Sequence, residues 1–423
     1  MSDFLLAYDM RTVGFVTKLG ECVSAPMIVL GNFAGIEIRA HYWTLIVFGA
    51  LTGILAYGYL PAVTPAAGPL ERLAVGIIVA ALLAGSILAH ELGHALVARK
   101  RGFAVTGITL YLFGGFTNLA GARTTPLDDI AIGLAGPAAS AALTAVFVGA
   151  AAATLRGNEQ AALLLAGVGL INALLFVTNV MPGYPMDGGM VLRGLLWQLG
   201  GNVIAASRRA ASSGKILAYL LAGGGVILLL RADVLDGMWI VLIGWMLAGL
   251  SESAYRSIIV RTALEGLRVK DLCARDLPVL QTSESVATAS AMFGAGSPSH
   301  VLAVMFGERL AGLATDVDVA RVPADQAGTT PISAVMKRSA GHPALDADCD
   351  ALSLLPAMAL SPIRCVIAVD ERGDYTGLVR QEDITRYVDM IETLGNSSAV
   401  SSRRLKRLQP RVAQPTTTAD KPL

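Results

Sequence analysis

The 423-residue chain is 54% apolar and only 15% charged, with a net charge of +1. Soluble globular chains run at about 45–50% apolar and about 25% charged residues, so this balance points toward lipid. A net charge this close to zero gives no reason to expect a nucleic-acid partner or a strongly acidic substrate.

Residues 1–40 read as an N-terminal cytoplasmic segment. Its first 18 residues mix acidic and basic side chains and show no small-residue cleavage site after an apolar core, so no signal peptide is expected. A transmembrane helix needs about 20 largely apolar residues. Six candidate spans follow, at 42–60, 73–97, 130–154, 161–180, 216–230 and 238–250. His41, beside Arg39 where the first span begins, reads as an interfacial residue. Between the second and third spans, residues 103–123 are apolar but broken by Gly114-Gly115, and Thr106, Ile108, Leu110 and Leu112 alternate. That period suits a β-hairpin, which must be shielded by protein or dip only partway into the membrane.

Arg99, Lys100, Arg101 and Arg123 fall between spans two and three, and Arg193, Arg208, Arg209 and Lys215 between four and five. Arg256 and Arg261 follow span six, while the opposite loops hold only Arg72, Arg156 and Arg231. By the positive-inside rule both termini are cytoplasmic, in an inner or plasma membrane. Beyond about residue 264 charge rises, and two segments share one layout. In the first, 301–306 and 310–313 precede Thr315-Asp316-Val317-Asp318; in the second, 365–369 and 375–379 precede Arg380-Gln381-Glu382-Asp383. This is a weak repeat of about 60 residues. The expected fold class is a polytopic α-helical membrane protein of about six transmembrane helices followed by a soluble α/β tandem module. Its parts are a membrane domain at 41–256, repeats at 264–325 and 326–395, and a disordered tail at 396–423 rich in Ser, Arg, Thr and Pro. Cys22, Cys273, Cys349 and Cys365 are scattered with no CxxC pair, which suggests neither disulfides nor a cysteine zinc site.

The chemistry concentrates in His90-Glu91-Leu92-Gly93-His94. His90 and His94, spaced i, i+4, share one helix face and both imidazoles can reach one ion. Glu91 stands where such motifs place the general base. Only five histidines occur in the chain, and these two lie within an apolar span, where ionisable residues are costly and usually functional. A catalytic zinc commonly takes three protein ligands, and Asp187 is the best third candidate, in a stretch interrupted by Pro182, Gly183, Pro185, Gly188 and Gly189. Asp187 can also be read as the N-cap of a following helix. His94 lies six residues before Lys100, about 9 Å from the basic end of its helix, and Asp187 follows a span that ends on the same side.

These residues resemble the site-2 protease family, whose pattern is HExxH on one transmembrane helix and NxxPxxxLDG on a later one. Here they stand as His90–His94 and as Asn179 through Gly188, with Pro182 in place and Met186 where the family favours Leu. Ala135-Gly136-Pro137 is also family-like, with Ser140 where an asparagine is often found. The resemblance implies one Zn2+ held by His90, His94 and Asp187, Glu91 as base, and Asn179 at the substrate carbonyl. Asn179 otherwise reads as an interhelical hydrogen bond, and Asn172 reads as a packing residue. The 103–123 hairpin looks like the family's membrane-associated strand element, which would hold substrate as an added strand; the other reading is a plain loop cover.

Gly312-Leu-Ala-Thr315-Asp-Val-Asp318 resembles the signature of CBS domains, which pair and bind adenine nucleotides. The second copy keeps Gly377 and Asp383 but has Arg380 in place of Thr. The resemblance implies ATP, ADP or AMP at Gly312, Thr315, Asp318 and Asp383, and leaves open whether Arg380 favours a phosphate or blocks its pocket. A homodimer through the CBS domains is the further partner, beside a membrane-embedded protein substrate. The resulting expectation is a zinc-dependent intramembrane endopeptidase that cleaves transmembrane segments near the cytoplasmic side under nucleotide control. The alternatives are a CBS-regulated transporter or channel and a catalytically silent membrane scaffold. His300 and His342 read as surface or fold residues.

Overall fold

The computed structural model describes residues 27–111, 114–120, 125–231, 233–274, 277–294 and 300–396. The readings of residues 1–18, Cys22, Arg123 and the tail beyond 396 therefore lie outside the described residues. The chain divides into two compact units between Arg256 and Ser257.

Two strands open the first unit where the sequence suggested none, β1 (Met27–Phe33) and β2 (Ile36–His41). They are antiparallel, joined by a turn at which Ala34 and Gly35 take φ of 52° and 79°. The signal was the alternation of Ile36, Ile38 and Ala40, all buried, separated by Glu37 and Arg39. Helix α1 (Tyr42–Val63) follows, with a π-helical turn at Ile54–Tyr59. His41, where the first span begins, is 4% exposed, and its ring accepts the Trp43 N–H at 3.3 Å to cap α1.

Helix α2 (Pro69–Lys100) starts with Pro69 in its first turn and ends on Arg99 and Lys100, where the helix dipole favours cations. Gly102, at φ 88°, lets the chain leave the helix. The expected hairpin is present as β3 (Ala104–Tyr111) and β4 (Gly114–Ala120), antiparallel to one another. β3 also pairs in parallel with β2, giving a four-stranded sheet in the order β1-β2-β3-β4. Its buried face, Ile36, Ala40, Ile108 and Leu110, closes on Ala95 of α2, with Leu88 and Leu92 beside it. The sheet thus lies against the helix segment that carries the histidines.

Helix α3 (Pro126–Thr154) begins with a capping box in which Thr125 and Asp128 satisfy one another's backbone N–H groups. Helix α4 (Glu159–Val180) is capped by Asn158. Asn172, fully buried in α4, donates to Ser86 Oγ of α2 at 3.0 Å, the interhelical packing role expected of it. Helix α5 (Asp187–Gly200) is only 14 residues long and stops at Gly201, φ 65°. Helices α6 (Val203–Leu230) and α7 (Val234–Leu264) complete the bundle. Both exceed the spans read at 216–230 and 238–250. Hydropathy marks only the apolar stretch, whereas α6 extends through a polar turn whose Ala206, Ala210 and Ala211 are buried. Arg193, counted among loop cations, is instead buried on α5 at 8% exposure.

Among the described residues six helices, α1–α4, α6 and α7, are long and apolar enough to cross a membrane. The second unit repeats one α/β layout. Strands β5 (Val279–Gln281), β6 (Val301–Phe306), β7 (Arg309–Thr315) and β8 (Lys337–Arg338) form one sheet, with α8 (Val286–Gly294) after β5 and α9 (Asp316–Ala320) after β7. Strands β9 (Ala344–Asp346), β10 (Cys365–Val369) and β11 (Tyr375–Arg380) form the other, with α10 (Leu354–Leu360) before β10 and α11 (Gln381–Asn396) after β11. Leu313 of the first sheet and Ile367 and Leu378 of the second share one buried core. The protein is therefore a multi-pass α-helical membrane protein followed by an α/β module built from two similar halves.

Gly225, Gly237 and Gly244 let α6 and α7 meet backbone to backbone; a Cβ at Gly237 would lie 2.7 Å from Leu229 N. Gly237→Leu is expected to cost about 1–3 kcal/mol by overpacking. The check is the melting temperature of the detergent-solubilised protein, which should fall for Gly237→Leu but not for Gly223→Leu, where a Cβ meets nothing within 4 Å.

Candidate metal centre

The histidine-bearing stretch of α2 packs on α3 almost without side chains between them. A Cβ at Gly93 would lie 2.7 Å from the Ala135 carbonyl oxygen. This close approach lets α3 hold the outer nitrogens of both imidazoles. His94 Nδ1 donates to the Ile132 carbonyl at 2.7 Å. That bond puts the proton of the neutral ring on Nδ1 and leaves Nε2 as a lone pair. His90 Nδ1 lies 2.9 Å from Ser140 Oγ, and Ser140 is fully buried. Serine thus supplies the polar contact at the position where the family pattern often has asparagine.

The two Nε2 atoms are 3.2 Å apart, and Asp187 Oδ2 lies 3.0 Å from His90 Nε2 and 3.2 Å from His94 Nε2. Tetrahedral zinc with bonds of about 2.0–2.1 Å sets its donor atoms about 3.3 Å apart. The three groups present that spacing, and among the described residues they are the His/Cys/Asp/Glu group spaced for a metal. A Cβ at Gly136 would fall onto His94 Nε2 and lie 2.7 Å from His90 Nε2, so only glycine leaves this space open. The donor set, the spacing and the open space fit zinc. Asp187 is 22% exposed at its side chain, against 6% for His90, so the Asp187 side of the cluster is the more accessible.

Asp187 does not serve as the N-cap. Met186 occupies that position with no side-chain cap, and Asp187 is the first residue of α5. The irregular run before it is held against protein at Gly183 and Tyr184, which are buried, while Met181, Pro182 and Pro185 stay exposed. Tyr184 N donates to the Ala210 carbonyl of α6 at 3.3 Å, and a Cβ at Gly189 would lie 2.5 Å from Tyr184 N. Glu91 is half-buried on α2 beside His90. Asn179, half-buried in the last turn of α4, donates to its own helix at the Leu175 carbonyl, 2.9 Å away. It also lines an apolar recess with Gly133, Pro137, Gly188 and Val191, residues that neighbour Gly136 and Asp187 in sequence.

In the second unit Thr315 caps α9, and its hydroxyl donates to Asp318 Oδ2 at 2.6 Å. Lys337 Nζ stands 3.4 Å from the same oxygen. Burial pushes the Asp318 carboxyl up, but the Thr315 hydroxyl and the Lys337 ammonium outweigh it and hold the group below its usual range. At Gly312 a Cβ would fall onto the Lys337 backbone carbonyl, so the strand contact there needs glycine. The second copy differs. Arg380 grips Asp383 with both arms, Nε to Oδ2 at 2.8 Å and Nη2 to Oδ1 at 2.7 Å, and both side chains are largely buried. His300 is exposed and paired with Asp316 at 2.8 Å, and His342 is buried.

Known proteins place these residues in context. Residues 77–162 match the description "Peptidase family M50", a stretch that includes HExxH and the whole of α3 but stops before Asp187. Rip3 of Mycobacterium tuberculosis, named as a zinc metalloprotease, is 33% identical over 247 residues, 58% of this chain. The match spans 62% of Rip3, less than two thirds of that relative's length. A Synechocystis protein named as the zinc metalloprotease sll0528 is 26% identical over 370 residues, covering 85% of this chain and 94% of its own. The solved site-2 protease from Methanocaldococcus jannaschii is 25% identical with a TM-score of 0.38, covering 55% of this chain and 96% of that one. In its motifs and its relatives the chain resembles the site-2 protease family.

Gly136→Ala is expected to abolish stoichiometric zinc binding, because the added methyl takes the space between the donors. Elemental analysis of the purified protein checks this, with Gly149→Ala, an open position on the same helix, expected to keep its zinc.

Proposed function

We propose that the protein is a zinc-dependent intramembrane endopeptidase that cuts transmembrane segments of membrane-protein substrates near the cytoplasmic face. The observation that carries this reading is the meeting of His90 and His94, on a helix of membrane-crossing character, with Asp187 at the start of α5, all within hydrogen-bond distance of one another. The basic residues Arg99, Lys100 and Arg101, one to two turns beyond His94, support a cytoplasmic position for that end of α2 and for both termini.

Zinc held by His90, His94 and Asp187 would supply Lewis-acid polarisation of the scissile peptide carbonyl. Glu91 acts as the base: its carboxylate takes a proton from the attacking water and returns it to the departing amine nitrogen. Ile132 and Ser140 keep the two imidazoles oriented with Nε2 toward the centre. Asn179 Nδ2 has a second hydrogen beyond the one given to Leu175, and that hydrogen is assigned to the carbonyl oxygen as negative charge develops there. A helical substrate hides its carbonyls in its own hydrogen bonds, so it must unwind before cleavage. β4, an outer strand of the four-stranded sheet, offers the backbone partner for the extended segment.

The tandem CBS module is assigned to adenine nucleotide, as ATP, ADP or AMP, and to homodimerisation. Gly312, Thr315 and Asp318 carry the nucleotide, with Asp318 for the ribose hydroxyls. Asp383, with both oxygens already held by Arg380, is assigned a structural role in the second copy.

Glu91→Gln is expected to retain zinc and to lose cleavage of a reconstituted membrane substrate by at least about a hundredfold, the usual lower scale for removing a general base. Cleavage at the wild-type rate would refute the mechanism, and comparative membrane proteomics of the same pair should reveal accumulated substrates. For the second unit, calorimetric titration of ATP, ADP and AMP onto the full chain in detergent is expected to show binding of at least one. Asp318→Ala should remove it and Asp383→Ala should not.

A further inference from the structure

We infer that the buried Asp129–Arg193 pair is a register lock for α5, which makes both side chains positioning residues of the metal centre; this rests on the zinc reading above. The pair joins α3 to α5. Arg193 Nε donates to Asp129 Oδ2 at 2.6 Å and Nη2 to Asp129 Oδ1 at 2.5 Å, a two-pronged geometry that fixes both distance and direction. Arg193 is 8% exposed and Asp129 2%.

The lock matters because it ties α5 to α3 by a directional bond further along the helix from Asp187. The helix is 14 residues long, its first residue is Asp187, and its N-cap makes no side-chain bond. Its contact with α3 is close and glycine-lined. Gly133 of α3 faces Val191 and the Asp187 carbonyl, where a Cβ would lie 2.9 and 3.1 Å away. Gly194 of α5 faces Pro126 and Asp129, with corresponding distances of 2.7 Å to the Pro126 carbonyl and 3.0 Å to Asp129 Cβ. A glycine-lined contact permits close approach, and the two-pronged ion pair adds a directional bond that holds one register. A slip of one turn moves a helix by about 5.4 Å. That exceeds the 3.0 and 3.2 Å that bring Asp187 to the two imidazoles, so a slipped α5 takes the third donor out of reach.

The two helices run antiparallel at this contact, since Asp129 of α3 meets Arg193 while the later Gly133 meets Asp187. Asp187 and Arg193 are six residues apart, about 9 Å along the helix. Asp129 and Gly136, the residue that faces both Nε2 atoms, are seven apart, about 10.5 Å. The ion pair at one end and the metal donors at the other are therefore matched in spacing across the two helices.

Stability alone does not account for such a pair. Replacing a buried ion pair with apolar side chains of similar volume is often neutral or favourable, while its best-attested use is to select one register. Ionisable groups in helices of this character are also rarely retained without a role.

The test is zinc affinity, measured by competition with a chelator of known strength on purified full-length protein, together with the visible spectrum of the cobalt(II)-loaded form. The informative variant is Asp129→Leu combined with Arg193→Met, which removes both charges and leaves no unpaired one. The metal-free double variant should melt no lower than wild type, while zinc affinity falls about 10–100-fold, the usual scale for groups that orient metal ligands, and the cobalt spectrum changes. Arg193→Lys keeps the charge but not the two-pronged geometry and should weaken zinc in the same direction. Wild-type zinc affinity in the double variant, or in Arg193→Lys if the double variant does not fold, overturns the lock. Failure of the wild-type protein itself to bind zinc removes the zinc reading, and the lock with it.

Discussion

The close approach of α2 and α3 is the constraint on which the rest of the site depends. Gly93 permits it from one side and Gly136 keeps the space before the imidazoles open from the other. In lipid there is no hydrophobic force between helices, so contact must come from small residues and from hydrogen bonds that lipid cannot supply. Here the hydrogen bonds are those of the histidines. Ile132 and Ser140 satisfy both Nδ1 atoms, which turns two flexible rings into fixed donors aimed at one point. The four-stranded sheet braces the opposite side of α2 through Ala95 and its neighbours. The helix bearing the histidines is thus held on two sides.

A second constraint follows from the membrane. The backbone between α4 and α5 is irregular, and such a run cannot be left facing hydrocarbon. Gly183 and Gly214 bring it against α6, where Ser213 donates to the Pro182 carbonyl and Tyr184 N reaches the Ala210 carbonyl. The irregularity is also useful. A continuous helix from α4 would direct Asp187 along the α4 axis, whereas the break lets α5 start afresh on α3, with Asp187 turned toward His90 and His94. The extra length of α6 beyond its apolar stretch has its reason here, since Ala210, Ser213 and Gly214 of that extra length make the contacts to the break.

The second unit shows how a repeated layout can hold two different local solutions. In the first copy Asp318 is bonded to a hydroxyl at the start of α9 and stands within reach of Lys337. In the second, Arg380 delivers its own guanidinium to Asp383 and occupies both oxygens. The aspartate is retained in each case, and the change of one neighbour from threonine to arginine changes the group that holds it.

Much of this protein was legible in the sequence because the relevant physics is local or periodic. Spans of about 20 apolar residues, the i, i+4 spacing of His90 and His94, the alternation in the 103–123 hairpin and the two similar halves of the second unit all declare themselves along the chain. Other features were not legible. The sheet that β1 and β2 join was missed because β2 pairs with β3 across more than sixty residues, including two helices. Asp187 read as either a ligand or a helix cap, since both roles suit an aspartate before a helix, and only the structure showed Met186 at the cap position. Arg193 read as one more loop cation, because neither its burial nor its partner Asp129, 64 positions away, leaves a mark on the nearby sequence. Residue types and periods settled which chemistry this chain can hold. The packing of helices through glycine settled where that chemistry sits, because distances between side chains far apart in sequence are properties of contacts and not of composition.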